Sequence, residues 1–250
     1  MNPFFRTEKF KPPWFIAHRG YRAQYPENTL IAFQAALEAG VQMIELDVVL
    51  SHDRKLIVIH DATLERTTNG EGSVGDYTLE QLKQLDAGEW FHPRFAGERL
   101  PELSEVLDLA DGQVWINIEI KPHAYESHHP PDAVERQIVE LICRRGIADR
   151  VLISSFDLSL LQHIATLEHA PALGMISRNP ANKQTLEKCT RLKVVSWHPN
   201  HQILTPEQVK AMHACDIRVF PYNADTGEEI ARVLEMAVDG VISSDPLLPN

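Results

Sequence analysis

The segment MIELDVVL (residues 43–50) alternates between two kinds of side chain. In an extended chain, successive side chains point to opposite faces, so one face here is aliphatic and the other carries Glu45 and Asp47. The aliphatic face is typical of a strand that helices cover. The acidic face needs a partner, because carboxylates inside a protein are costly unless they are paired or bind a cation. Both faces are satisfied if this strand belongs to a barrel with helices outside.

The segment WINIEIK (residues 115–121) repeats the pattern, with isoleucines on one face and Asn117, Glu119 and Lys121 on the other. If the two strands are neighbours, three carboxylates, an amide and an ammonium group converge. One interpretation is an ion-pair layer between Lys121 and the acids. Buried ion pairs stabilise a core less well than apolar packing does, so we favour a cation site. Three carboxylates suit Mg²⁺ or Ca²⁺ better than Zn²⁺.

Six further segments have the composition of buried strands, and helical patterns lie between most of them: FIAHRG (15–20), VLISSF (151–156), ALGMIS (172–177), KVVSWHP (193–199), IRVFPYN (217–223) and GVISSD (240–245). Strands that alternate with helices over 250 residues predict an α/β fold, a (β/α)₈ barrel of the TIM type. An open, doubly wound sheet is the alternative. The motif G-x-x-x-x-G-K-[ST] does not occur, which argues against its nucleotide-binding form.

Helix boundaries are indicated at several points. A helix is predicted over residues 29–39, with Asn28 as its N-cap and Gly40 as its stop. Thr205 and Pro206 are typical of the start of another helix. A third helix is predicted from Thr226 to the turn at residues 239–240.

The segment LIVIHD (residues 56–61) interrupts the alternation of strands and helices. Only SHDRK (51–55) separates it from the strand before, whereas a parallel crossover needs a dozen or more residues. We therefore expect an antiparallel β-hairpin arm that returns His60 to the end of the second strand. The next residues, about 62–100, are too many for an ordinary loop. We expect a small insertion over the barrel mouth, within a single domain of residues 1–250.

The first strand ends at His18 and Arg19, next to the acidic strand. In a (β/α)₈ barrel, the carboxyl ends of the strands carry the active site. The Arg19 guanidinium can bind a phosphate or carboxylate through two nitrogens. His18 can give or take a proton near neutral pH, with His60 as its partner. The other loop and helix histidines are predicted to be surface residues: His52, His123, His128, His129, His163, His169 and His201.

Composition excludes several classes of protein. The chain has 24 Lys and Arg against 35 Asp and Glu, a net charge of −11, which argues against a general nucleic-acid or anionic-membrane surface. No segment approaches the ~20 apolar residues of a membrane helix, and residues 1–14 lack the features of a secretory signal. Three scattered cysteines without a C-x-x-C motif fit a reducing compartment. We expect a cytoplasmic protein without stable membrane association.

Six segments, in this order, resemble the glycerophosphodiester phosphodiesterase family, in its cytosolic bacterial form: AHRG (17–20), PENT (26–29), IELDV (44–48), VIHD (58–61), LERTTNG (64–70) and IEIKP (118–122). A weaker resemblance continues through SSF (154–156) to SSDP (243–246). The first half of the chain is therefore highly specific for this family. The resemblance implies the same barrel, with a small insertion after the VIHD arm.

The resemblance also implies an activity, the metal-dependent hydrolysis of glycerophosphodiesters to sn-glycerol 3-phosphate and an alcohol. One divalent cation, Mg²⁺ or Ca²⁺, would be held by Glu45, Asp47 and Glu119. His18 and His60 would be the general acid and base, in an order that the sequence leaves open. Arg19 and Lys121 would hold the phosphate.

Three further residues are candidate substrate contacts: Phe156, Trp197 and Asn223. The family usually has an aromatic residue followed by T-V-N near the seventh strand, where this chain has FPYN (220–223). Asn223 keeps the last position, whereas Pro221 departs from the pattern and leaves the substrate preference open. The expected partner is a small molecule, and the chain is expected to be a monomer or a homodimer. PENT is interpreted only as shaping the loop after the first strand.

Two alternatives remain at this point. The same site can be imagined to hydrolyse lysophospholipids, as a phospholipase D does, with an apolar entrance built from aromatic residues of the insertion: Tyr77, Trp90, Phe91 and Phe95. From a different class, a non-catalytic barrel could bind a phosphorylated ligand. That alternative predicts the loss of an acid-base or metal position, and all of these positions are present.

Overall fold

The computed structural model describes residues 11–248, and in it eight parallel strands with helices between them form a nearly closed barrel. The predicted (β/α)₈ fold is therefore confirmed. Residues 1–10 and 249–250 lie outside the described residues. The first of these ranges includes most of the segment, residues 1–14, that was predicted to lack a secretory signal. The nine strands are β1 (Trp14–His18), β2 (Met43–Leu50), β3 (Leu56–Val58), β4 (Trp115–Ile120), β5 (Val151–Ser155), β6 (Ala172–Ser177), β7 (Ser196–Pro199), β8 (Arg218–Val219) and β9 (Gly240–Ser243).

The strand order is β8-β7-β6-β5-β4-β2-β1-β9, and β3 pairs only with β2, antiparallel. The β2–β4 register sets Glu45 opposite Asn117 and Asp47 opposite Glu119. Strand β8 is shorter than predicted, because Pro221 has no N–H to continue the ladder. The Pro221 carbonyl instead accepts from the Ile242 N–H at 2.9 Å, which joins the two ends of the sheet.

The two faces of β2 and β4 separate as predicted. The aliphatic residues of β2 and β4 lie in one outer cluster with the helices, whereas Trp14, Ile16 and Met43 pack inside the barrel. The helices are α1 (Leu30–Glu38), α2 (Leu79–Leu82), α3 (Leu103–Ala110), α4 (Val134–Arg145), α5 (Leu158–Ile164), α6 (Lys183–Leu192), α7 (Pro206–His213) and α8 (Gly227–Glu235). Within residues 11–248, none of these helices combines the length and apolar composition that crossing a membrane requires.

Two helix ends differ from expectation. The N-cap of α1 is Thr29, whose hydroxyl accepts from the Ala32 N–H. Asn28 cannot cap the helix, because its φ of 56° is left-handed, whereas an N-cap residue needs an extended backbone. Helix α8 stops at Glu235, before the predicted turn, since Ala237 also takes a positive φ, of 60°. Helix α7 begins at Pro206 after the Thr205 cap, as predicted.

The hairpin arm and the residues after it share a small apolar core. Val49 and Ile57 of the arm pack with Leu64, Leu82 and Leu100. The segment also contacts the loop after β1, where the Arg94 guanidinium donates to the Gln24 carbonyl at 3.2 Å. The insertion therefore rests on the side of the barrel where β1 and β2 end.

Candidate active site

A cavity of about 210 Å³ opens at the carboxyl ends of the strands. Six of the residues that the sequence predicts as general acids or bases, metal ligands or phosphate-binding residues line it: His18, Arg19, Glu45, His60, Glu119 and Lys121. Asp47 lies directly beneath them and is fully buried. Strand parity, the turn after β1 and the hairpin arm thus bring together the residues that were predicted to meet.

The acidic cluster consists of Glu45, Asp47 and Glu119, each of which places a carboxylate oxygen within 4.8 Å of the other two. The Lys121 ammonium reaches into the cluster, 2.6 Å from Glu119 Oε1 and 2.9 Å from Asp47 Oδ1. The ion pairs implied by the alternative interpretation are therefore present. They use one oxygen of Glu119 and one of Asp47, while Glu45 Oε1 and Asn117 Oδ1 have no hydrogen-bond partner among the described residues.

The three acids of the cluster differ in the direction in which their pKa is shifted. Burial, and then the negative charges of Asp47 and Glu119, raise the pKa of Glu45 well above its usual value. Burial and the Asp47 charge raise the pKa of Glu119 to about 7. Burial alone would raise the pKa of Asp47 too, but Lys121 and Arg19 outweigh it and hold that pKa below its usual range. The cluster thus carries more carboxylates than its two cations neutralise.

The acidic cluster fits a divalent cation. Its donors are all oxygens, the buried Glu45 Oε1 lacks a partner among the described residues, and mutual repulsion disfavours full ionisation of the acids until another positive charge arrives. Hard cations such as Mg²⁺ and Ca²⁺ prefer such oxygen donors. Glu45, Asp47 and Glu119 are the residues that would hold the ion.

Arg19 is fixed by its backbone as well as by its side chain. Its φ is 56°, and its N–H donates to Glu45 Oε2 at 3.0 Å. Its guanidinium lies 2.8 Å from Glu27 Oε1 and 3.2 Å from Asp47 Oδ2. The next residue must be Gly20, because its φ is 78° and a Cβ there would lie 2.7 Å from the Ala32 carbonyl carbon. The turn after β1 therefore aims Arg19 at the acids.

His18 is held neutral and in one tautomer. Burial, followed by the positive charges of Arg19 and Arg22, lowers the pKa of His18 well below its usual value. The Asn223 amide donates to His18 Nδ1 at 2.8 Å. The proton of the neutral ring therefore lies on Nε2, which is 3.8 Å from Glu45 Oε2. His18 thus carries an N–H at the acidic cluster.

His60 has the opposite arrangement. Its Nδ1 contacts Asp61 Oδ1, and a carboxylate can only accept, so the ring proton is on Nδ1. Nε2 of the neutral ring is therefore free to accept a proton. Burial lowers the pKa of His60, which keeps the ring neutral near pH 7. His18 and His60 therefore differ: His18 presents a donor and His60 an acceptor.

Four residues that contact the predicted site residues or one another were missed in the sequence: Glu27, Asn28, Asp61 and Arg66. The Arg66 guanidinium donates to both Glu27 oxygens, at 2.8 and 3.0 Å, and also to Asp61. The Asn28 amide donates to Asp47 Oδ2 at 3.0 Å. The interpretation of PENT as a loop-shaping motif is therefore wrong, because Glu27 and Asn28 hold Arg19 and Asp47. The signal was present, since all four lie within PENT, VIHD and LERTTNG.

The role of Asn28 can be tested by separating its backbone from its side chain. Asn28→Gly removes the bond to Asp47 but suits the positive φ, whereas Asn28→Ala removes the bond and strains the backbone by ~1–2 kcal/mol. Hydrogen bonds to charged groups contribute about 1.5–3 kcal/mol. We expect both variants to lose activity alike, and the alanine variant to have the lower melting temperature in thermal unfolding. Normal activity in the glycine variant would contradict this role.

Only two of the three candidate substrate contacts line the cavity. Phe156 and Asn223 line the cavity, whereas Trp197 does not and is fully buried among the outer core residues. The assignment of Trp197 is corrected, because β7 pairs Ile176 with His198, and these two side chains face the cavity. Tyr222 also lines it, with its ring 6.0 Å from that of Phe156 and perpendicular to it.

Comparison with known proteins identifies the family of this chain. Residues 18–248 match the model of the glycerophosphoryl diester phosphodiesterase family. A glycerophosphodiester phosphodiesterase of Caldanaerobacter subterraneus is 39% identical over 232 residues, which cover 92% of this chain and 93% of the relative. One from Bacillus altitudinis is 37% identical, with 92% and 94% covered.

Solved structures show the same fold. A phosphodiesterase of Oleispira antarctica, in complex with the product sn-glycerol 3-phosphate, has a TM-score of 0.84 at 27% identity, with 94% of both chains covered. A glycerophosphodiester phosphodiesterase of Agrobacterium tumefaciens has a TM-score of 0.80 at 26% identity, covering 94% of this chain and 97% of that one. With its family match and these relatives, the chain belongs to the glycerophosphoryl diester phosphodiesterase family of hydrolases.

Proposed function

We propose that the chain hydrolyses glycerophosphodiesters to sn-glycerol 3-phosphate and an alcohol, with one divalent cation, Mg²⁺ or Ca²⁺, bound by Glu45, Asp47 and Glu119. The observation that carries the proposal is the convergence of this oxygen-only cluster with one proton-donating and one proton-accepting imidazole in a single cavity. The product complex of the Oleispira antarctica relative supports the identity of the product.

The two histidines are assigned opposite roles. His60, oriented by Asp61 and free at Nε2, takes the proton of the attacking hydroxyl. His18 donates the Nε2 proton of its imidazolium form to the departing alcohol oxygen. The ring is then neutral with its hydrogen on Nδ1, which the Asn223 side-chain oxygen can accept once that amide has turned over. A phosphodiester anion in the cavity favours the protonated form of His18, since it offsets part of the repulsion by Arg19 and Arg22 that lowers this pKa.

Arg19 and Lys121 bind the phosphate oxygens and stabilise the charge that develops there. Their own carboxylate partners keep them in place and charged: Asp47 contacts both, Glu27 also pairs with Arg19, and Glu119 pairs with Lys121. A divalent cation, when bound, polarises a phosphoryl oxygen and lowers the pKa of a coordinated hydroxyl. That hydroxyl belongs either to water or to the substrate's glycerol, which would first give a cyclic phosphate.

The experiment is a direct assay of the purified full chain with glycerophosphocholine, with and without EDTA, and with a lysophospholipid in parallel. We expect sn-glycerol 3-phosphate and choline to form, the rate to fall with EDTA, and Mg²⁺ or Ca²⁺ to restore it. Hydrolysis that proceeds unchanged in EDTA would contradict the cation, and faster turnover of the lysophospholipid would favour the alternative activity.

No observation on the described residues favours the lysophospholipid alternative. Three of the four aromatic residues expected to form its entrance pack against one another: Trp90 on Phe91, and Phe91 on Phe95. The fourth, Tyr77, packs against the small core of the hairpin arm. Phe95 is buried against Tyr25, and only Trp90 is substantially exposed. No cavity-lining residue comes from the insertion, residues 62–100.

The charged residues that line the cavity indicate which head-group alcohol of the substrate is disfavoured. An aromatic ring can hold the quaternary ammonium of choline, but the Arg178 guanidinium already lies over Phe156, 4.5 Å from the ring centroid. Arg178 and Arg22 both line the cavity. A cationic head group therefore meets positive charge, whereas a neutral polyol such as glycerol does not.

We expect Arg178→Ala to raise kcat/KM for glycerophosphocholine relative to glycerophosphoglycerol by about 2- to 5-fold, because exposed cation–π contacts are worth ~0.5–1 kcal/mol. Arg178→Lys retains the charge and is the matched control, in which the ratio should stay near that of the wild type. An unchanged ratio in the alanine variant would refute this role for Arg178.

A further inference from the structure

A second group of metal-ligating side chains lies outside the cavity. It consists of His129 in the loop before α4, Glu135 in the first turn of α4, and His163 in α5. Each places one ligand atom within 4.8 Å of the other two. None of the three lines the active-site cavity. His163, predicted to be a surface residue, is partly buried, with 14% of its side chain exposed.

Glu135 is the unusual member of the group. It is fully buried, and neither of its carboxylate oxygens has a hydrogen-bond partner among the described residues. Two imidazole nitrogens lie near its Oε1, His163 Nε2 at 3.5 Å and His129 Nδ1 at 3.9 Å, and these nitrogens also have no hydrogen-bond partner among the described residues. A buried carboxylate without partners is strongly unfavourable, so this arrangement calls for a positive charge between the three side chains.

We propose that His129, Glu135 and His163 bind a transition-metal ion of the Zn²⁺ class, distinct from the hard cation of the active site. Two imidazole nitrogens and one carboxylate oxygen are a donor set that zinc accepts, with water in the fourth position, whereas Mg²⁺ and Ca²⁺ prefer oxygen alone. The ion gives Glu135 the positive partner that it otherwise lacks. Because Glu135 and His163 belong to neighbouring helices, the ion links α4 to α5.

Binding requires a small rearrangement of one ring. The His129 and His163 rings are stacked, with centroids 3.7 Å apart and planes 18° from parallel, and a ligating nitrogen must point at the ion. His129 can turn, because it belongs to a loop and its side chain is 34% exposed. Both histidines ligate a metal ion in their neutral forms. Arg136 is the nearby cation that opposes binding.

The test uses the metal-free full chain in excess Mg²⁺, which saturates the active-site cluster, and ZnCl₂ as the probe. Thermal unfolding and equilibrium dialysis are compared for the wild type, His129→Ala, Glu135→Gln and the control His52→Ala, whose side chain is exposed. We expect one Zn²⁺ per wild-type chain and a melting temperature raised by about 5–10 °C at 100-fold excess over Kd. His52→Ala should behave as the wild type, and both site variants should lose the zinc-dependent rise.

His129→Ala keeps the result interpretable if Glu135→Gln folds poorly, since His129 is on a loop and partly exposed. Basal hydrolysis in Mg²⁺ should be unchanged in the site variants, which shows that the fold and the catalytic site are intact. Absence of Zn²⁺ binding to the wild type, or equal binding to the wild type and His129→Ala, would overturn the proposed site. Neither result would affect the proposed hydrolytic activity, which does not use these residues.

Discussion

His18→Ala is expected to lower kcat/KM for glycerophosphodiester hydrolysis by about 10²–10⁴-fold, the usual contribution of a general acid or base. The residue is placed for this role by its position at the cavity, by its N–H on Nε2, and by the Asn223 amide that fixes the tautomer. Steady-state kinetics with glycerophosphocholine measure the effect. The structural role of His18 is small, since its side chain makes one hydrogen bond and one longer contact to Glu45.

His52→Ala is the matched control for this variant. His52 lies in the turn of the hairpin arm, and its side chain is exposed. We expect the control to retain the activity and melting temperature of the wild type. Near-normal turnover in His18→Ala would remove this residue from the mechanism, whatever the behaviour of His60.

Glu45→Gln is expected to lower kcat by about 10²–10⁴-fold, because a bound cation contributes several kcal/mol of charge stabilisation in the transition state. The substitution preserves the shape of the side chain, and the amide oxygen can still accept from the Arg19 N–H. A fall in kcat would therefore result from the missing negative charge of Glu45 and not from a change in the turn after β1. Activity should be measured across a range of Mg²⁺ and Ca²⁺ concentrations.

A conservative replacement of an exposed acid is the control for that experiment. The Glu168 side chain is 89% exposed, so Glu168→Gln changes the net charge by the same amount without touching the cavity. We expect this control to retain full activity at every cation concentration. A Glu45→Gln variant with the wild-type rate and the wild-type cation dependence would exclude Glu45 as a ligand.

Much of the site could be predicted because alternation along a strand is a local property. The parity of β2 and β4 places Glu45, Asp47, Glu119 and Lys121 on one face without any knowledge of tertiary contacts. The hairpin arm was likewise implied by the short connection after β2. These predictions needed only strand geometry and chain length.

The supporting residues could not be predicted in this way. Arg66 meets Glu27 across 39 residues, and Asn28 reaches Asp47 only because its backbone takes a positive φ. Neither contact follows from a local periodicity. Trp197 was misassigned for a related reason. The segment KVVSWHP has no clear alternation of apolar and polar residues, so its sequence does not show which side chains point into the barrel. That is fixed by the pairing of β7 with β6.

The most direct measurement on the acidic cluster is a calorimetric titration of the full chain with Mg²⁺ and Ca²⁺, repeated on Glu45→Gln. The wild type should bind one ion per chain, and the variant should bind it far more weakly or not at all. A wild-type chain that binds neither ion, or a variant that binds as tightly as the wild type, would show that Glu45, Asp47 and Glu119 form an ion-pair layer with Lys121 and not a metal site.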